Sequence, residues 1–275
     1  MLAIWLTGSL ARGEEDPWSS VDLCLLIGDR GDFPAPSQAL EAALRKGLGE
    51  DAFVVAAPDQ GAGAGRLVGA MLEDSAALPG KSGLTFQLFW AEAAQAERLR
   101  ARHGPVRLLY TADALPASLH AYLSQDFPPL LPAEAEAAEA ALIEFWEALL
   151  RLPGALNRRD HLAAGSLLAQ ARNHLVDAIV AVNGGRRPPA SPRANRYLGP
   201  SQQEALARTL VCPAPTSETW IGQAVALVVI YRWYAPQLQE RFPQLKDLTR
   251  METITLALLT ATIDDWPAHI TTETE

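Results

Sequence analysis

Residues 6–27 read LTGSLARGEEDPWSSVDLCLLI, and the rest of the chain is best understood outward from them. The run LAIWLT (2–7) has strand character and ends in Gly8 and Ser9. A glycine at a strand end lets the backbone approach a ligand and turn its amides toward an anion, and Ser9 adds a hydroxyl donor. Arg12 carries a fixed fork of donors that suits phosphate, and Gly13 permits the next turn. After Glu14, Glu15, Asp16, Pro17 and Trp18 the chain returns as SSVDLCLLI (19–27), a strand whose alternation puts Ser20, Asp22 and Cys24 on one face. The connection, about ten residues, is too short for a helical crossover, so the two strands are expected to be antiparallel neighbours in a mixed sheet. Acidic residues at i and i+2 of such a strand would aim two carboxylates at one hard cation, such as Mg2+ carrying phosphates. Here the i position is Ser20.

Composition limits the partners. The 275 residues are 49% apolar with a net charge of -9, which describes a globular chain and argues against a non-specific nucleic-acid binder. Two domains are expected at this length. Lys46, Lys81 and Lys246 are the only lysines, and with Ala and Pro abundant the arginine excess reads as genome composition before phosphate binding. Cys24 and Cys212 lie far apart and signal neither a disulfide framework nor a metal cluster, which fits a reducing cytoplasm. No apolar stretch approaches the roughly 20 residues that span a bilayer, and none of the pattern predicts a membrane partner.

The halves differ in grammar. AFVVAA (52–57), LTFQLFW (84–90) and VRLLY (106–110) add further strand candidates, with helical spacing at 37–48 and 66–78. The Pro-rich DFPPLLP (126–132) reads as a linker, after which strand signals stop. Helical periodicity covers 133–152, 160–182, 201–211, 216–241 and 245–264, with Asn183, Gly184 and Gly185 as a stop. The loop 186–197, with three prolines, is not expected to be regular. The reading is therefore an α+β chain: a mixed-sheet α/β domain over 1–127, then an all-α helical bundle over 133–275.

Gly8-Ser9, Ala11-Arg12-Gly13 and Ser19-Ser20-Val21-Asp22-Leu23 together resemble the nucleotidyltransferase superfamily typified by DNA polymerase beta. The similarity points to its small bacterial members related to aminoglycoside and lincosamide nucleotidyltransferases. The family form is Gly-Ser, Ala-Arg-Gly and Ser-Asp-x-Asp-Leu. The resemblance implies that Gly8 and Ser9 hold a triphosphate, with Arg12 and Gly13 supporting the loop or the phosphates, and that Asp22 binds Mg2+. It also implies that a nucleoside monophosphate passes from an NTP to a hydroxyl of a small, antibiotic-like acceptor in a cleft between the domains.

The departures are specific. The first metal-binding aspartate of the family corresponds to Ser20, and the third carboxylate falls at Gln87, which could at best orient the acceptor. Removing one well-placed electrostatic group from an active site costs on the order of a hundredfold to a thousandfold in rate. Glu14, Glu15, Asp16 and Glu92 are nearby acids that could substitute, though they read first as surface charges. The helix that precedes the first strand in the family has no counterpart ahead of MLAIWLT: either the start lies downstream of the natural one or that layer is dispensed with. Three readings stay open: a Mg2+-dependent transferase, a degenerate fold that keeps a nucleotide or small-molecule pocket, and a protein-interaction partner.

Other signals are weaker. LPGKS (78–82) lacks the spacing and strand context of a phosphate loop, and GAGAGR (61–66) fails as a dinucleotide turn because its sixth position is Arg66, so it is expected to form a flexible loop over the site. The histidines show no metal-ligand spacing. Arg158-Arg159 is read as beginning a helix, against the macrodipole, which favours a role facing the cleft. The row Trp220, Tyr231, Trp233 and Tyr234 reads as core or homodimer packing before a substrate cage.

Overall fold

The structure, a computed structural model, describes residues 1–16, 19–28, 36–49, 52–57, 64–72, 83–100, 105–112, 115, 117–125, 131–187 and 194–270. The chain divides into two compact units, Met1–Pro129 and Leu130–Glu275.

The first unit runs β1 (Ala3–Thr7), α1 (Gly8–Ala11), β2 (Val21–Ile27), α2 (Pro36–Leu48), β3 (Ala52–Ala57), β4 (Ala64–Leu72) and β5 (Gly83–Glu92). A 3-10 turn at Ala93–Gln95, α3 (Ala96–Arg100), β6 (Arg107–Thr111) and α4 (Ala117–Leu123) follow. The strands form one sheet in the order β3-β4-β5-β2-β1-β6. β1 and β2 are antiparallel, as their short connection requires, whereas β5 runs parallel to β2, so the sheet is mixed.

Alternation divides the apolar side chains between two faces. Leu25, Val54, Leu67, Phe86, Leu88 and Trp90 pack on one, under Leu40, Leu44 and Leu48 of α2. Ala3, Trp5, Cys24, Leu26, Ala64 and Ala91 pack on the other, against Ala96 and Leu99 of α3 and Leu119, Tyr122 and Leu123 of α4.

One expected helix is a strand. Residues 66–72 belong to β4, paired on both sides with β3 and β5, and 73–78 lie outside the described residues. The apolar positions fit either period over so short a run, and the two neighbouring ladders decide it. Gly69 belongs there because a Cβ would meet the Phe86 ring on one side and the Phe53 carbonyl oxygen, 2.6 Å away, on the other. Residues 61–63 of GAGAGR and all of LPGKS lie outside the described residues, while 64–66 open β4.

The second unit contains β7 (Leu131–Pro132), α5 (Ala135–Asn157), α6 (His161–Val182), β8 (Gly185–Arg186), a 3-10 turn at Ala194–Arg196, α7 (Pro200–Arg208), α8 (Ser217–Arg241) and α9 (Thr249–Thr262). β7 and β8 pair antiparallel, so strand structure does not end at the linker; two residues are too few to show any periodicity. Tyr231 of α8 stacks on Phe145 of α5 at 5.1 Å between ring centroids, and Trp146 meets Tyr231 edge-on at 4.8 Å. Trp220 and Tyr231 are core residues, Trp220 donating its Nε1–H to His161 Nδ1 at 3.1 Å, while Trp233 is exposed.

Helix α5 runs through Pro153 and Gly154 to Asn157, and Arg158 is its C-cap. The arginine pair thus lies between two helices: Arg158 caps the C-terminus of α5, where a cation complements the macrodipole, and Arg159 stands just ahead of the Asp160 cap of α6. Asp160 caps α6, its Oδ1 accepting from Ala163 N at 2.9 Å. No helix among the described residues is long and apolar enough to cross a membrane.

Candidate functional site

The end of β1 and the start of β2 meet at Thr7 and Asp22, which are directly opposite in the ladder. Thr7 is buried and its hydroxyl donates to the Asp22 carbonyl oxygen at 3.4 Å. The next residue, Gly8, has φ +68°, a left-handed conformation that turns the chain into α1. Its Cα lies so close to the Asp22 side chain that a Cβ would sit 2.5 Å from Oδ2. Ser20 donates its hydroxyl to the other carboxylate oxygen, Oδ1, at 3.0 Å. The Asp22 carboxylate is therefore held between the glycine corner and Ser20.

Parallel pairing with β5 sets Gln87 beside Asp22, and β4 adds Val68 beside Gln87. Thr7, Asp22, Gln87, Val68 and Val55 thus form one row across the face that carries Trp5 and Cys24. Burial raises the Asp22 carboxyl above the ordinary carboxylate range, opposed by the Ser20 hydrogen bond and then by the charge of Arg12.

The remaining motif residues serve the loop. Ser9 is buried, and its carbonyl oxygen accepts from the amides of Arg12 at 3.2 Å and Glu14 at 2.9 Å. Arg12, its side chain 8% exposed, pairs with Glu14 through Nε at 2.7 Å. Gly13, at φ +65°, has nothing within 4 Å of a Cβ, so its contribution is conformational. Asp16 is stapled to Ser19: its amide donates to the Ser19 hydroxyl at 2.6 Å, which donates to Asp16 Oδ1 at 3.0 Å. Glu14 and Asp16 are thus engaged within their own loop, and Glu92 lies five residues along β5 from Gln87, opposite Ile27.

Mg2+ requires several hard oxygen donors, and carboxylates supply most of the attraction. The row offers Asp22 alone, with neutral Ser20 and Gln87 beside it, and among the described residues no group of three His, Cys, Asp or Glu could hold a metal ion. The described side chains of this row do not fit the cation that the resemblance implies.

Arg66, which fails as the sixth position of a dinucleotide turn and has helical spacing in the sequence, carries no site role in that reading. In β4 it lies opposite Phe89 and two residues from Val68, on the face of Asp22 and Gln87. The alternation of Arg66, Val68 and Ala70 was the signal that a strand reading would have used.

The mixed sheet, with β1 and β2 antiparallel and β5 parallel to β2, and the helices that follow it make an α+β chain whose glycine-serine corner packs on Asp22. The chain is similar to an aminoglycoside 6-adenyltransferase from Bacillus subtilis, at 16% identity over 92% of this chain and 89% of that one, with a TM-score of 0.41. It is also similar to a nucleotidyltransferase-like protein from Exiguobacterium sibiricum 255-15, at 15% identity over 95% and 81% of the two chains, with a TM-score of 0.36. No protein-family model matches the chain, and no curated protein matches it either.

Proposed function

We propose that this chain binds a nucleotide, or a small molecule carrying phosphate, at the Gly8 corner in front of Asp22, and that binding is what remains of a transferase site. Gly8 and Ser9 would approach the phosphates, Arg12 and Gly13 would keep the loop in shape, and Asp22 would accept a hydrogen bond from the ligand. The observation that carries this reading is the state of Asp22: its carboxylate is wedged against Gly8 and bonded by Ser20, with no second carboxylate in its row. Transfer of charged phosphoryl groups depends on neutralising charge at the reacting oxygens, and a lone carboxylate leaves that requirement unmet.

A second reading, transfer of a nucleoside monophosphate to a small-molecule hydroxyl, is favoured by the register of Gln87 beside Asp22, which keeps the geometry of the row while losing its charge. Calorimetry with ATP and GTP, with and without Mg2+, separates the two. Binding that is indifferent to Mg2+ supports the first, binding that needs Mg2+ supports the second, and no binding under either condition overturns both. The double change Ser20→Asp with Gln87→Asp is expected to create Mg2+ binding. Unchanged Mg2+ affinity would show that the row does not have the spacing of a cation site.

A further inference from the structure

The face that carries Asp22 is closed at one end and open at the other. At the closed end Ala3, Leu26, Ala91 and Ala64 are buried under α3 and α4. One row further along come Trp5, Cys24, Phe89 and Arg66, then Thr7, Asp22, Gln87, Val68 and Val55, and last Thr85, Ala70 and Phe53. The outer side chains stand free: Phe53 is 62% exposed and Val55 41%.

Arg66 stands at the margin between the two ends. It is exposed, and it makes no ion pair or hydrogen bond with the described residues, although the chain carries nine more negative charges than positive. Strands lie about 4.8 Å apart and rise about 3.3 Å per residue, so Arg66 is set about 10 Å across and about 7 Å along the sheet from Asp22. That separation is too wide for a direct ion pair and wide enough for a chain of phosphates between them. Arg supplies a permanent charge and a fork of donors matched to phosphate oxygens. A cation at this place performs for the ligand the neutralisation that the missing carboxylates would have delegated to a metal.

We propose that Arg66 is the phosphate-binding side chain of this site, acting without a divalent cation, and that the exposed Phe53 and Val55 receive a planar ring of the same ligand. The ligand class is then a nucleoside polyphosphate or a related molecule with an anionic and an aromatic end. Phe53 and Val55 lie on the β3 side of Arg66, and a flat ring laid on them would shield an apolar strip that water now covers. The inference rests on the nucleotide-binding reading above but is separable from it.

The test is calorimetry of the full chain with ATP and with tripolyphosphate in the presence of EDTA. Wild type is expected to bind both, ATP more tightly. Arg66→Ala is expected to weaken both at least tenfold, and Arg66→Lys to recover only part of the loss, because a point charge replaces the fork. Phe53→Ser is expected to bring ATP down to the affinity of tripolyphosphate. Arg107→Ala, on the edge strand β6, is the control and should bind as wild type does. Wild-type binding undiminished in both Arg66 variants overturns the assignment of Arg66 and leaves the nucleotide reading standing. No wild-type binding in EDTA that appears on adding Mg2+ overturns the metal-free inference, and no binding in either condition removes the nucleotide reading with it. Because Arg66 is exposed and has no ion pair or hydrogen bond among the described residues, its variants should keep the wild-type melting temperature, which shows that lost binding is not lost folding.

Discussion

Gly8 and Asp22 exclude each other's alternatives: the carboxylate Oδ2 occupies the space that any side chain at Gly8 would enter, 2.5 Å from a Cβ there. The left-handed backbone at Gly8 adds a second reason for glycine, costing a residue with a Cβ about 1–2 kcal/mol. Gly8→Ala is therefore expected to destabilise the first unit by more than the backbone penalty alone, as read by urea denaturation. In an Asp22→Ala background the steric part should disappear and only the backbone part remain. Strict additivity of the two changes would show that the contact carries no energy.

The raised pKa of Asp22 fixes the sign of a pH effect. Between the ordinary value of 3.8 and the raised one, the folded chain binds more protons at this group than the unfolded chain does. Its contribution to stability therefore falls as pH rises through that window, and the cost is fully present above it. Asp22→Asn is expected to be more stable than wild type at neutral pH, with an advantage that shrinks on acidification and is gone below about pH 3.8, where Asp22 is protonated in both states. Melting curves across pH 3 to 8 check this, and an advantage that grows on acidification would contradict it.

Gly69 provides a purely steric counterpart. Gly69→Ala would press a methyl group onto the Phe86 ring and the Phe53 carbonyl. Overpacking of this kind typically costs about 1–3 kcal/mol. Phe86→Leu in the same chain should recover only part of the loss, since the carbonyl cannot move without opening the β3–β4 ladder. Thermal denaturation of the single and double variants measures both amounts.

In the helical unit, Arg172 of α6 ties down three oxygens. Its Nε donates to Thr209 Oγ1 at 2.7 Å, and one terminal nitrogen donates to the Thr209 carbonyl at 2.7 Å and Gln223 Oε1 at 3.0 Å. Thr209 and Gln223 are both buried, so Arg172→Met leaves acceptors without donors and should cost about 1–3 kcal/mol. Arg172→Lys should recover less than half, because a single ammonium cannot reproduce the fork. Equal stability of the two variants in urea would refute the geometric part of this account.

Much of this architecture could be read from local pattern. The runs ending at Thr7 and beginning at Val21 read as strands because they are short apolar runs bounded by turn residues, and the short connection dictates their antiparallel pairing. Asp22 and Gln87 could be put in one site from the motif resemblance, but their adjacency depends on the parallel register of β2 and β5, which no local pattern encodes. The segment from Arg66 has a helical spacing at Leu67, Ala70 and Met71 and a strand spacing at Leu67, Gly69 and Met71, so seven residues do not separate the two. Only the ladders on either side, and the ring of Phe86 over Gly69, choose between them. Pro153 and Gly154 hid the last turn of α5 for a related reason: their propensities oppose a helix, and burial of Leu152, Ala155 and Leu156 in the helical core overrides them.

The sheet order makes the first strand wait for the last. β1 finds β2 within a few tens of residues, but its other edge is completed only by β6, with Ala3 opposite Thr111. During synthesis, then, one side of β1 stays open while α2, β3, β4 and β5 emerge, and the loop closed by that final pairing is among the longest the unit contains. The antiparallel pairs β1–β2 and β3–β4 are both available before β5 joins them, and β6 arrives last, an order that follows from where the ribosome has reached when each partner appears.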